Sequence, residues 1–183
     1  MDLITAQGAV TALRNKTTLD AAYHSYDAGH DDKHRKAGVA YGYNFAGAIG
    51  DETAGYYQAV SLVPDPSGTI TREISAWGKT TVATYSQALA DMTRDQEKQL
   101  LLAAFSSAGG FYAHPNPSRF CYGTYIPAGF RGFVFQGGGK VYPKIATETR
   151  AMLIVVSTGR GNVQIVTHFP EFEDRIRRMA PLV

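Results

Sequence analysis

The apolar positions of this chain repeat at two different spacings, and the change falls near residue 110. Upstream, several stretches carry helical spacing. Ile4, Val10 and Leu13 fit one turn-by-turn stripe over Ile4 to Leu13. Leu19, Ala22, Tyr23 and Tyr26 share one face of a second segment, for which Thr17 or Thr18 is the expected cap. Thr93-Arg-Asp-Gln96 has the capping-box form, so a third helix is predicted from Arg94, with Leu100, Leu101, Ala104 and Phe105 as its apolar side and Gly109-Gly110 as its end. Between them, Tyr56 to Val63 and Thr69 to Trp77 are β-rich arms around Pro-Asp-Pro-Ser-Gly, the pattern of a hairpin. Trp77 is the expected core anchor. Residues 37–50 place Tyr41, Tyr43 and Phe45 at period two among glycines and fit either a loose strand or a glycine-weakened helix.

Downstream the period becomes two. Phe120 to Ile126 and Arg131 to Gln136 alternate, Gly137-Gly138-Gly139 turns the chain into Lys140 to Tyr142, and Ala151 to Ser157 and Val163 to Phe169 follow. Met152 to Val156 is apolar without a break, the mark of a central strand buried on both faces. Glu171 to Met179 reads as a short terminal helix with Pro170 near its first turn. The expected fold is α+β: N-terminal helices with one β-hairpin, then a mostly antiparallel C-terminal sheet and a short terminal helix, in a single domain over 1–183.

Composition supports a packed core. Hydrophobic residues make up 44% and charged residues 19% of 183, which excludes a disordered chain. One cysteine excludes an internal disulfide and suits a reducing compartment. No basic flank precedes an apolar run at the N-terminus, and the runs Leu100–Phe105 and Ala151–Val156 are too short to span a bilayer, so the expectation is a cytoplasmic protein without membrane contact. Charge is uneven. Met1 to Ser107 holds nine Lys and Arg against twelve Asp and Glu, whereas Ala108 to Val183 holds nine against four. A basic C-terminal half suits RNA or another phosphate-bearing anion.

Candidate chemistry follows from the last strands. Gly161 to Val166, then Thr167-His168-Phe169-Pro170, preceded by an apolar strand, resembles the C-terminal strand of the barnase, colicin and RelE-like endoribonuclease toxins. That resemblance implies N-terminal helices before an antiparallel sheet, metal-independent RNA cleavage without a cofactor, and a cognate inhibitor protein as partner. Such cleavage needs a base for the 2′-OH proton, an acid for the leaving oxygen and a cation over the phosphate. Histidine suits the first two roles. Simple alternation puts Thr167 on the face of Val163 and Ile165, and His168 opposite, with Gln164. The expected set is His168 with a second histidine (His34, or His30) as base and acid, Arg131 as phosphate clamp, and Thr167 or Tyr122 as orienting hydroxyl. His114 and Arg119 are further candidates.

Two other constellations compete. Asp27, His30 and His34 fall one helical turn apart and would converge on a divalent metal in a metal-dependent hydrolase, although Gly29 interrupts the helix and Asp31 stands where a zinc-protease motif has Glu. Cys121 with His168 would make a thiol–histidine pair, against the commoner reading of a lone cysteine as packing. The reading from a different class is a non-catalytic interaction or assembly protein, such as a virion or anti-defence component, built on an aromatic- and glycine-rich sheet.

Overall fold

The structure is a computed structural model that describes residues 1–27, 57–59, 73–79, 94–137 and 143–183. The glycine-rich segment 37–50, the hairpin linker 64–68, the Thr93 cap and the Lys140–Tyr142 strand lie outside these residues.

Helix α1 (Leu3–Leu13) begins at Asp2, whose Oδ1 accepts from the Thr5 amide at 2.8 Å and whose Oδ2 accepts from the Thr5 hydroxyl at 2.9 Å. Ala6, Ala9, Val10 and Leu13 form its buried stripe. Ile4, assigned to the stripe from spacing, is 81% exposed, because it lies about 200° around the helix from Ala6. Helix α2 (Lys16–Asp27) is capped by Asn15, whose Oδ1 accepts from the Thr17 and Thr18 amides. The cap is therefore two residues before Thr17 and three before Thr18. Helix α3 (Arg94–Ser106) starts where its capping pattern indicated and buries Glu97, Leu100, Leu101, Ala104 and Phe105. Its last turn is closed by Arg14, whose Nε donates to the Phe105 carbonyl at 2.8 Å.

The described residues form eight strands in two antiparallel sheets, the first two lying between α2 and α3 in the chain: β1 (Tyr57–Ala59), β2 (Glu73–Lys79), β3 (Gly109–Ala113), β4 (Arg119–Tyr125), β5 (Phe130–Gly137), β6 (Pro143–Thr149), β7 (Ala151–Ser157) and β8 (Gln164–Glu171). The orders are β1-β2-β5-β6 and β3-β4-β7-β8. β1 and β2 pair antiparallel, as the two hairpin arms require. β7 sits between β4 and β8 and is buried on both faces, as its unbroken apolar run indicated. The molecule is α+β, with helices first, antiparallel sheet after, and a short helix α4 (Glu173–Arg177) near the end.

The two sheets share one long bent ribbon. β5 pairs with β6, and the same two chain segments continue into β4 paired with β7. At the bend, β6 passes to β7 through Arg150 alone, while residues 126–129 intervene between β4 and β5. The Ile126 amide donates to the Arg150 carbonyl at 2.8 Å, and Gly129 takes φ 97°. Just beyond, Gly132 lies under Pro170: a Cβ there would fall 2.7 Å from the proline Cβ. Pro170 belongs to β8 and not to the terminal helix, which starts at Glu173. As an edge strand of its sheet, β8 tolerates the missing N–H.

Helices α1–α3 cover one face of β3-β4-β7-β8, where Phe120, Tyr122, Met152, Ile154, Val156 and Ile165 meet Leu13, Leu19 and Phe105 in one core. On the other face Cys121, Leu153 and Val155 pack with Ile176 of α4. Residues 180–182 run along β3, with the Ala113 amide donating to the Ala180 carbonyl and the Leu182 amide to the Phe111 carbonyl. They cover an edge that would otherwise expose backbone groups. Gly109 and Gly110 open β3 instead of ending α3, and Gly109 allows the Tyr122 ring to lie against the strand.

Candidate functional site

The site begins with the register of β8. Ile165 pairs with Val156, but Thr167 pairs with Val155, so Val166 is an extra residue in the strand. A bulge of one residue reverses alternation beyond it. His168 therefore pairs with Ile154 and lies on the helix-covered face with Ile165, while Thr167 joins Val155 on the other face. This corrects the alternation argument, which put His168 opposite Ile165. A single cross-strand row, Phe111, Tyr122, Ile154, His168, runs under the helices.

His168 is 0% exposed. Its Nε2 lies 2.5 Å from Oε1 of Glu97, and Oε2 of Glu97 accepts the Tyr23 hydroxyl proton at 2.5 Å. Glu97 and Tyr23 are 5% and 3% exposed. The three side chains come from β8, α3 and α2. The carboxyl group of Glu97 thus joins both helices to the sheet. At the outer rim, Lys98 stands 5.2 Å over the Tyr23 ring and pairs with Asp20 at 3.5 Å.

The other candidates scatter. Tyr122 is 1% exposed, its ring packs on Phe105 and Phe111, and its hydroxyl donates to the Ser107 carbonyl. Burial pushes this phenol up. Tyr122 and His168 flank Ile154, two strand spacings apart, about 10 Å. Thr167 is buried on the face opposite His168. Cys121 pairs with Val155 and so also faces away from His168, which removes the thiol–histidine pair; burial raises its thiol to about 11. Arg131 is in β5, paired with Gly78. Asp27 is the last residue of α2, and His30, Asp31 and His34 lie outside the described residues. His114 sits in the loop before β4, its Nδ1 accepting from the Asn116 amide at 2.9 Å; burial, then the charge of Arg119, lowers its pKa. Among the described residues no three His, Cys, Asp or Glu side chains gather to hold a metal, and no helix is long and apolar enough to cross a membrane.

Glu97 and Tyr23 were missed as polar partners. The signal was present: Glu97 stands three, four, seven and eight positions before Leu100, Leu101, Ala104 and Phe105, which places a carboxylate on the buried stripe of α3.

Two surface clefts meet at Tyr125, which ends β4 and is 56% exposed. One, of about 190 Å3, is walled by Tyr112, Tyr125, Glu173, Ile176 and Arg177 over a floor of glycine backbone. The other, of about 180 Å3, is formed by Tyr125, Ile126, Phe130, Glu148, Thr149 and Arg150. The Tyr125 hydroxyl donates to Oε1 of Glu173 at 2.7 Å, Arg177 donates to the same oxygen at 3.1 Å, and the Arg150 guanidinium stands 6.0 Å over the ring. The bond from Tyr125 holds the Glu173 carboxyl below its ordinary range. Comparison of the chain with protein-family models, curated proteins and solved structures returns no match.

Proposed function

We propose that the protein is a non-catalytic interaction or assembly protein. The observation that supports this reading is the enclosure of His168. An acid–base histidine acts by direct contact with the proton it moves. His168 has no exposed surface, and its Nε2 is engaged by Glu97 under two helices. The hydroxyls that would orient a substrate around it are committed elsewhere: Tyr122 to a backbone carbonyl in the core, Thr167 to the opposite face. What the surface offers instead is a fixed, exposed tyrosine with arginines beside it, the residue types that dominate binding hot spots.

The test is incubation with total RNA, with and without a chelator. No cleavage is expected at any protein concentration. Chelator-resistant cleavage that disappears in Arg131→Gln overturns the reading in favour of a metal-independent nuclease. Cleavage abolished by chelation overturns it in favour of a metal-dependent hydrolase.

A further inference from the structure

We infer that the cleft of about 190 Å3 between β3, β4 and α4 is an anchor pocket for one tryptophan or tyrosine side chain of a partner protein, whose N–H or O–H donates to Oε2 of Glu173. This rests on the interaction-protein reading and specifies its surface and partner.

The cleft has a cause in the sequence. Gly110 of β3 pairs with Gly123 of β4 on the face turned away from α1–α3, so two neighbouring strands lack side chains at one level. Tyr112 and Cys121 stand two residues to one side of that level, and Tyr125 stands two residues to the other, all on the same face. Tyr112 and Ile176 of α4 come down on the bare backbone: a Cβ on Gly123 would fall 2.7 Å from the Ile176 Cγ2 and 3.0 Å from the Tyr112 Cε2. Ala108 and Ala151 complete a mostly apolar lining, with Glu173 and Arg177 as its charged wall.

Size selects what enters. Sites that take a whole small molecule run to about 300–1,000 Å3 and bury most of it. This cleft is smaller, and its Tyr125 wall is 56% exposed. It has room for one ring system, with the rest of the bound molecule outside. A side chain carried on a partner's backbone meets that condition, whereas a nucleotide or an organic cofactor does not.

The carboxylate selects the ring. Oε1 of Glu173 accepts from the Tyr125 hydroxyl and from Arg177, which hold the group in place before any partner arrives. Among the described residues Oε2 takes no hydrogen bond. A phenylalanine ring laid over it would remove water and return no donor, a loss that an indole N–H or a phenol O–H makes good. A lysine or arginine would bring its charge beside Arg177, which already offsets Glu173 at 3.1 Å. Residues 171–178 carry three acids and three arginines, so the rim offers no net positive field to a phosphate backbone, and a nucleobase would have to bring its phosphates with it.

The experiment follows amide shifts of the 15N-labelled full chain during titration with the capped peptide Ser-Gly-Trp-Gly-Ser. The comparisons are the same peptide with 1-methyltryptophan, which keeps the ring and loses the N–H, and an eight-residue single-stranded adenosine oligonucleotide. The tryptophan peptide is expected to move Gly110, Gly123 and Ala151 and to leave Ile154 and Ile165, on the helix-covered side, unmoved. The methylated peptide should give an initial slope at least about tenfold smaller, the worth of a hydrogen bond to a charged group. In Glu173→Ala that preference should vanish, a readout that general weakening of the cleft does not produce. No shifts at the cleft, equal slopes for the two peptides in the parent chain, a preference that survives Glu173→Ala, or shifts there from the oligonucleotide but not the peptide overturns the inference. RNA cleavage in the separate assay overturns the parent reading instead, so the two failures are distinguishable.

Discussion

His168 Nε2 and Glu97 Oε1 lie 2.5 Å apart across the boundary between the sheet and the helices, with both side chains enclosed. Breaking a buried pair by removing one partner leaves the other desolvated and uncompensated, at a cost of about 3–5 kcal/mol. Glu97→Ala and His168→Ala are each expected to lose roughly that amount, read as a fall in the urea midpoint with unchanged slope. Tyr23→Phe, which removes one hydrogen bond to a carboxylate, should cost about 1.5–3 kcal/mol. In a double-mutant cycle, the Glu97 and His168 losses should add to well above that of the double variant. Simple additivity would show that the two side chains do not act together.

Gly132→Ala should destabilise the junction of the two sheets. Its new methyl would fall 2.7 Å from the Pro170 Cβ and from the Ile126 Cδ1. Ile126 has rotamers to use, but the proline ring has none, so a strand must shift. About 1–3 kcal/mol is expected, the range for overpacking. A thermal midpoint equal to that of the parent chain would mean that β8 and β5 are not pressed together there.

Stability should respond to His114 as pH falls. Its pKa is lowered in the fold by burial and then by Arg119, so below about 6.5 the unfolded chain binds the proton more readily. Stability linked to this group is fully present above that value and is lost as pH falls through the lower, folded value. An imidazolium also has no lone pair to accept from the Asn116 amide. Chemical denaturation at pH 7.5 and pH 5 should show a smaller loss on acidification in His114→Gln than in the parent chain. An identical or larger loss would exclude the assignment.

Cys121 should be inert in the folded protein. It is 3% exposed, and burial raises its thiol to about 11, so thiolate is scarce near neutrality. A disulfide reagent at pH 8 should react only on addition of denaturant. Prompt stoichiometric reaction without denaturant would contradict the packing of the face formed by Cys121, Leu153 and Val155.

Much of the fold was legible from spacing. The apolar stripes announced α1 to α3, the uninterrupted run announced β7 as central, and alternation marked β4, β5 and β8. β3 and β6 were not read, because Gly109-Gly110 looked like a helix stop and Pro143 to Thr149 has no alternation to mark it. The site was harder for a different reason. Which way His168 points depends on one unpaired residue, Val166, and pairing register is a property of two distant segments that local pattern does not contain. Glu97 was visible as a carboxylate on an apolar stripe, but its partners on α2 and β8 lie 74 and 71 positions away.

The bent ribbon has a kinetic corollary. Gly137 pairs with Pro143 at one end and Arg119 with Ser157 at the other, so the ribbon can close from neighbouring residues outward, each pairing shortening the loop left for the next. The helix layer has no such route, since Glu97 must find both Tyr23 and His168 across long stretches of chain. Zippering of β4–β7 is thus expected in the rate-limiting step, with closure of the buried carboxylate afterwards. On that order, Glu97→Ala accelerates unfolding and leaves the refolding rate nearly unchanged, whereas truncation of Ile154 slows refolding, a contrast that stopped-flow chevrons resolve directly.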